Sequence, residues 1–135
     1  MSLKVDSALA LLQAALRLGV ERKMPVAVVV VDAGGRTLAS ARSEEAGFIN
    51  LAMAERKALA SVNFKAPTHA VLDMIKADSL LLNVVGSEAT ISILPGGFPI
   101  ALGGAVVGAL GIAGGHYSQD QALGEEVLAK AAPKG

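Results

Sequence analysis

Apolar residues at Val5, Ala8, Leu9, Leu12, Ala15 and Leu16 recur with the 3.6-residue period of a helix, so about the first twenty residues are predicted to form an amphipathic helix that ends before Pro25. The β-branched run Val26–Val31 is too short for a helix and reads as a strand covered on both faces. Asp32, Gly34 and Gly35 supply turn chemistry, and Thr37–Arg42 returns as its hairpin partner. From Glu45 to about Phe64 the period is helical again. Phe48, Leu51, Ala52, Glu55, Ala58, Leu59 and Val62 share one stripe, and Asn50, Ala54, Lys57 and Ser61 lie opposite. Pro67 opens a short helix reaching about Ile75. Between Leu80 and Ser92 the pattern is ambiguous, and only Thr90–Leu94 is read as strand.

Two prolines and a glycine pair make residues 95–99 a loop. Beyond it, Ile100–Leu102 and Ala105–Ile112 read as strands joined by a Gly103-Gly104 turn. Ser118 and Gln121 have the spacing of a capping box for a last helix, Gln119–Ala131. Hairpins outnumber crossovers in this order. The fold class expected is therefore α+β, one domain over residues 1–135, with a mainly antiparallel sheet of about five strands flanked by helices.

Composition changes the picture in three ways. Hydrophobic residues are 53% of the 135, with 15 glycines besides, more apolar material than a lone domain of this size covers, so a homo-oligomer is expected. Aromatics are only 3%, and 12 basic residues balance 12 acidic ones, which removes both the stacking platforms and the positive field of a nucleic-acid binder. Zero cysteines exclude disulfides, thiolate metal sites and a cysteine nucleophile. The uncharged stretch Phe98–Gly115 approaches the length of a membrane span, but Pro99 and the repeated glycines make it a hairpin, so no membrane partner is expected. Asp6, Gln13 and Arg17 interrupt what a secretory leader keeps apolar, so a cytoplasmic location is expected.

No nucleotide loop, zinc-protease or serine-hydrolase motif is present. Two glycine loops remain. Gly114 and Gly115 precede the last helix, where backbone N–H groups and the positive helix end favour a carboxylate or phosphate. Gly96 and Gly97 allow an equally close approach, although turn geometry alone accounts for all four glycines about as well. His116, in the second loop, is the candidate iron ligand, with solvated or capping use as the alternative; His69 is the weaker choice. Asn50 and Lys57 share the small-residue stripe of the second long helix, where Ala54 leaves room for a ligand or another chain, and ordinary solvent exposure accounts for them nearly as well. Asp32 ends its strand either as a turn cap or facing a cleft.

The motifs Val30-Val31-Asp32 with Gly35 and Leu38, Arg42 with Glu45-Ala46, Ala54 with Lys57-Ala58, Gly96-Gly97 with Pro99-Ile100, Val107-Gly108-Ala109 with Gly111, Gly114-Gly115, and Gln119-Asp120 together resemble the GlcG/HbpS-like family, the haem-degrading domain. The resemblance spans nearly the whole chain. It implies a profilin-like α+β fold, haem or a related tetrapyrrole as ligand, assembly from dimers to octamers, and use as an accessory domain of corrinoid adenosyltransferases. This chain departs from the family's usual pattern in having Arg42-Ser43-Glu44-Glu45 and Ala113 before the glycine pair. The resulting expectation is a binding protein for a small carboxylated ligand. Its carboxylates would meet the Gly96, Gly97, Gly114 and Gly115 amides, with Lys57 as counter-charge, Asn50 and Gln119 beside them and His116 on iron. The alternatives are an isomerase or lyase acting on a small hydroxy- or keto-acid with Asp32 or Glu45 as base, and a non-catalytic accessory oligomer.

Overall fold

The computed structural model describes residues 1–134. In chain order its elements are α1 (Val5–Glu21), β1 (Ala27–Asp32), β2 (Thr37–Arg42), α2 (Phe48–Phe64), α3 (Thr68–Ile75), α4 (Ser79–Gly86), β3 (Gly97–Leu102), β4 (Ala105–Ala113) and α5 (Tyr117–Ala131). The class is α+β, as the pattern predicts. The sheet, however, has four antiparallel strands rather than five, in the order β2-β1-β4-β3.

The fifth strand expected at Thr90–Leu94 is not formed. Its alternation is used otherwise: Ile93 is buried and Ile91 half-buried in a cluster with Ala60, Val71 and Ile75, and the Ser92 amide donates to the Arg56 carbonyl of α2 at 3.1 Å. Just before it, the ambiguous stretch folds as α4, capped by Asp78, whose carboxylate accepts from the amides of Leu80 and Leu81. Gly97 and Pro99, expected in a loop, lie within β3. An edge strand tolerates a proline because only one of its sides needs ladder donors, and β3 pairs with β4 alone.

The central strands β1 and β4 are buried on both faces, and their alternation separates two layers. Val28, Val30, Leu110 and Ile112 pack with Leu11, Leu12, Leu18, Leu123 and Val127 beneath α1 and α5. On the other face, Ala27, Val29, Val31, Ala109 and Ala113 meet Ala54 and Ala58 of α2. That second face is built of small side chains, so α2 lies almost against the backbone of β4: a Cβ on Gly111 would stand 1.9 Å from the Ala54 carbonyl oxygen. The buried residues of α2 are thus Ala54, Lys57 and Ser61 of the small-residue stripe, with Ala58 of the apolar stripe and Ala60, while Phe48 at the head of the apolar stripe is 85% exposed. Among the described residues no helix is long and apolar enough to cross a membrane.

Candidate functional site

β4 ends at Ala113, and the chain turns through Gly114, at φ +123°, and Gly115 into α5. The left-handed turn is obligatory, because a Cβ on Gly114 would meet the Pro25 carbonyl oxygen at 2.4 Å. α5 begins one residue before the predicted capping box. His116, not Ser118, is the N-cap: its Nδ1 accepts from the Ser118 amide at 3.2 Å, and Gln119 Oε1 accepts from the His116 amide at 2.9 Å. Asp120 follows in the first turn, and its Oδ1 accepts from the Gly115 amide at 3.0 Å.

Lys57 projects from α2 into the same corner. Its ammonium donates to Asp120 Oδ2 and to the Ile112 carbonyl, both at 2.9 Å, and the paired side chains are 2% and 3% exposed. Burial pulls the Lys57 amine below its ordinary value and pushes the Asp120 carboxyl above its own; in each case the attraction of the partner opposes the shift. Gly96, at φ +130°, packs directly behind the pair, with room for no side chain: a Cβ there would lie 2.9 Å from Lys57 Nζ and 3.1 Å from Asp120 Cβ. The two glycine loops therefore do converge, on Asp120.

In front of the pair is a depression of about 240 Å³ walled by Asn50, Met53 and Leu94 on one side and by Gly114, Gly115, His116 and Tyr117 on the other, with Lys57 and Asp120 at its base. Of the residues expected to bind ligand, Asn50, Lys57, Gly114, Gly115 and His116 are brought together there. Gly96, Gly97 and Gln119 stand behind the wall. The expectation that carboxylates meet free amides of both loops is corrected: the Gly97 amide donates to Thr68 Oγ1 at 2.9 Å, and the Gly115 amide is taken by Asp120. Lys57 is likewise no free counter-charge, because Asp120 neutralises it.

Asp32 and Glu45 lie elsewhere. Asp32 Oδ1 accepts from the amides of Gly34 and Arg36 at 2.9 and 3.0 Å, which is the turn-capping use. Glu45 borders a separate depression of about 340 Å³ with Glu44, Ser43, Lys23 and Val20. The base of the isomerase or lyase alternative thus stands outside the depression at α5. Sequence reasoning did not pick out Asp120, Met53, Leu94 or Tyr117. Only Asp120 carried a signal, an acid in the first turn of a helix that follows two glycines.

The donors that remain fit a carboxylate. Lys57 has a third N–H beyond its two partners, and Asn50 keeps its Nδ2 group, since only Oδ1 is engaged, by the Gly47 amide. His116 Nδ1 lies 2.8 Å from the Ser118 hydroxyl and 3.2 Å from its amide, so the inner edge of the ring is engaged at the cap and Nε2 is its free nitrogen. Among the described residues no group of three or more His, Asp or Glu could hold a metal ion. These donors fit the carboxylate edge of a tetrapyrrole.

Comparison with known proteins agrees on kinship. The model of the HbpS-like family, described as haem-degrading protein HbpS-like, matches residues 3–129. The chain belongs to this family. HbpS-like relatives include an uncharacterized 15.0 kDa protein from the dhaT-dhaS intergenic region of Citrobacter freundii, 33% identical over 109 residues, or 80% of this chain and 77% of that one. The corrinoid adenosyltransferase PduO of Salmonella typhimurium is 28% identical over 120 residues; the match takes in 88% of this chain but only 36% of that protein. Among solved structures, a PduOC:heme complex superposes with a TM-score of 0.87 at 26% identity, covering 96% of this chain and 94% of that one.

Proposed function

We propose that this HbpS-like chain binds a small amphipathic carboxylate ligand, a tetrapyrrole being the foremost candidate, in the depression between α2 and the start of α5. The observation that carries this reading is the polar set around the Lys57–Asp120 pair: the spare Lys57 N–H, Asn50 Nδ2 and the free His116 Nε2, with Met53, Leu94 and Tyr117 supplying apolar wall. The likeness to a PduOC:heme complex supports the tetrapyrrole. Because 240 Å³ is below the usual range of about 300–1,000 Å³ for enclosed ligand pockets, the carboxylate edge enters and the rest of the ring lies across the surface. Such a surface-lying ring suits a self-associated protein, and exposed Phe48 and Ile49, beside Asn50 at the head of α2, are the apolar residues placed to cover it from a second copy.

Titration of haem into the purified protein, followed at the Soret band, tests the reading. A saturable shift at one equivalent per chain is expected, weakened about tenfold or more in Asn50→Leu, since one charge-assisted hydrogen bond is worth roughly 1.5–3 kcal/mol. A spectrum that does not saturate, or an unaltered affinity in Asn50→Leu, contradicts it.

A further inference from the structure

A larger, half-open cavity of about 390 Å³ lies on the far side of Met53 and Leu94, between α2, α3, α4 and the segment leading to β3. It borders the third apolar cluster, reaching Ile93 of its four buried members, Ala60, Val71, Ile75 and Ile93. Half-buried Leu72, Leu82, Val85 and Ile91 line it as well. α4 has no buried residue at all, although five of its eight positions are Leu or Val, and Leu80, Leu81 and Val84 are 73%, 47% and 60% exposed. Apolar wall without partner atoms forfeits dispersion energy that an apolar ligand would restore.

One cation borders this space. Arg56, half-buried on α2, makes no side-chain hydrogen bond or salt bridge among the described residues, in contrast to Arg22, which pairs with Glu126, and Arg42, which donates to three carbonyls. The other charged residue at the rim, Glu88, is fully exposed and turned to its own loop: its Oε2 accepts from the Thr90 amide at 3.1 Å and from the Thr90 hydroxyl at 2.8 Å. A partly desolvated guanidinium at the edge of an apolar cavity calls for a planar anion with an apolar body, since a carboxylate answers its fork bidentately.

We propose that this cavity is a second binding site, for a small aliphatic or aromatic monocarboxylate, with Arg56 holding the carboxylate and Leu72, Leu82, Val85 and Ile91 enclosing the hydrocarbon. The site is separate from the depression at α5 and does not depend on the ligand proposed there. Met53 and Leu94 line both spaces, so the two share a wall.

Calorimetric titration with octanoate, set beside 1-octanol of the same chain length, tests the assignment. Saturable binding of octanoate is expected, at least about tenfold tighter than octanol, falling to the octanol level in Arg56→Gln and largely kept in Arg56→Lys, which retains the charge and controls for folding. Val85→Trp, which fills the cavity from a helix with no buried residue, is expected to abolish binding of both compounds while leaving the far-ultraviolet circular dichroism unchanged. Equal affinity for octanoate and octanol, an unaffected Arg56→Gln, or no saturation at all would overturn the proposal. Haem titration of Arg56→Gln separates the two sites: an unchanged Soret response is expected, and loss of the haem response together with octanoate binding would show that there is one site rather than two.

Discussion

Removing either half of the Lys57–Asp120 pair strands a charge in a place that is at most 3% exposed, whereas removing both leaves an apolar gap. Lys57→Met or Asp120→Asn alone is therefore expected to cost about 3–5 kcal/mol in denaturant melts, and the double variant to recover much of it. The pH dependence has a definite sign. Asp120 holds its proton to higher pH in the folded chain than in the unfolded one, so the native protein loses stability as pH rises from the ordinary value of 3.8 through the raised one. Lys57 behaves oppositely: the unfolded chain takes up its proton first as pH falls from 10.5, so stability is lost as pH falls to the lowered value. Relative to the double variant, the wild type is expected to be least favoured between these two limits; a difference that does not vary with pH would contradict this. Lys57 is visible in the sequence as a cation on a small-residue stripe. Asp120 is visible only as an acid opening a helix, and their pairing is not, because 63 residues separate them and no local period links a helix interior to the first turn of another helix.

The closeness of α2 to the sheet decides where Lys57 can reach. Gly111→Ala would drive a Cβ to 1.9 Å from the Ala54 carbonyl, which is backbone and cannot step aside, so a loss of about 1–3 kcal/mol or more is expected from thermal melts. Gly86→Ala, in open space at the end of α4, is the control and should be neutral or mildly stabilising. An equal effect at both positions would refute the close packing. At this scale the hairpin β1–β2, the helices α1, α2 and α3 and the final hairpin were all legible, because each carries a complete period of its own. The small face of α2 reads in the sequence as open to a ligand, another chain or solvent, since hydrophobicity ranks Phe48 above Ala54 while packing against Gly111 rewards the smaller residue. The stretch at Thr90–Leu94 alternates like a strand, and only the competing apolar cluster under α3 and α4 reveals that Ile91 and Ile93 are used there instead. The cap of α5 was read two residues late because histidine is not among the usual capping residues. His116→Ala is expected to cost about 0.5–2 kcal/mol of stability through that cap whether or not any ligand is bound.

Across the whole molecule, the α2–α5 corner and the α3–α4 lobe each combine space with side-chain donors that have no partner among the described residues. The family and the α+β class were readable from glycine and acid positions scattered along the entire chain. The sequence points to Asn50, Lys57 and His116 as a set, but of the four amides expected to receive the carboxylate those of Gly97 and Gly115 are used internally, by Thr68 and Asp120, in hydrogen bonds that a linear pattern does not encode. Self-association belongs to this scale as well. Sedimentation velocity is expected to show an assembly larger than one chain, weakened by Phe48→Asp; a monomer unaffected by that change would remove the role given to the head of α2. The most direct measurement compares haem with iron-free protoporphyrin, titrated into the wild type and into His116→Ala. The account predicts that both compounds bind the wild type within about threefold of each other, and that His116→Ala weakens both alike, because the ligand is held by its carboxylate edge and not by its iron. Binding of haem alone, abolished by His116→Ala with protoporphyrin inert throughout, would contradict it.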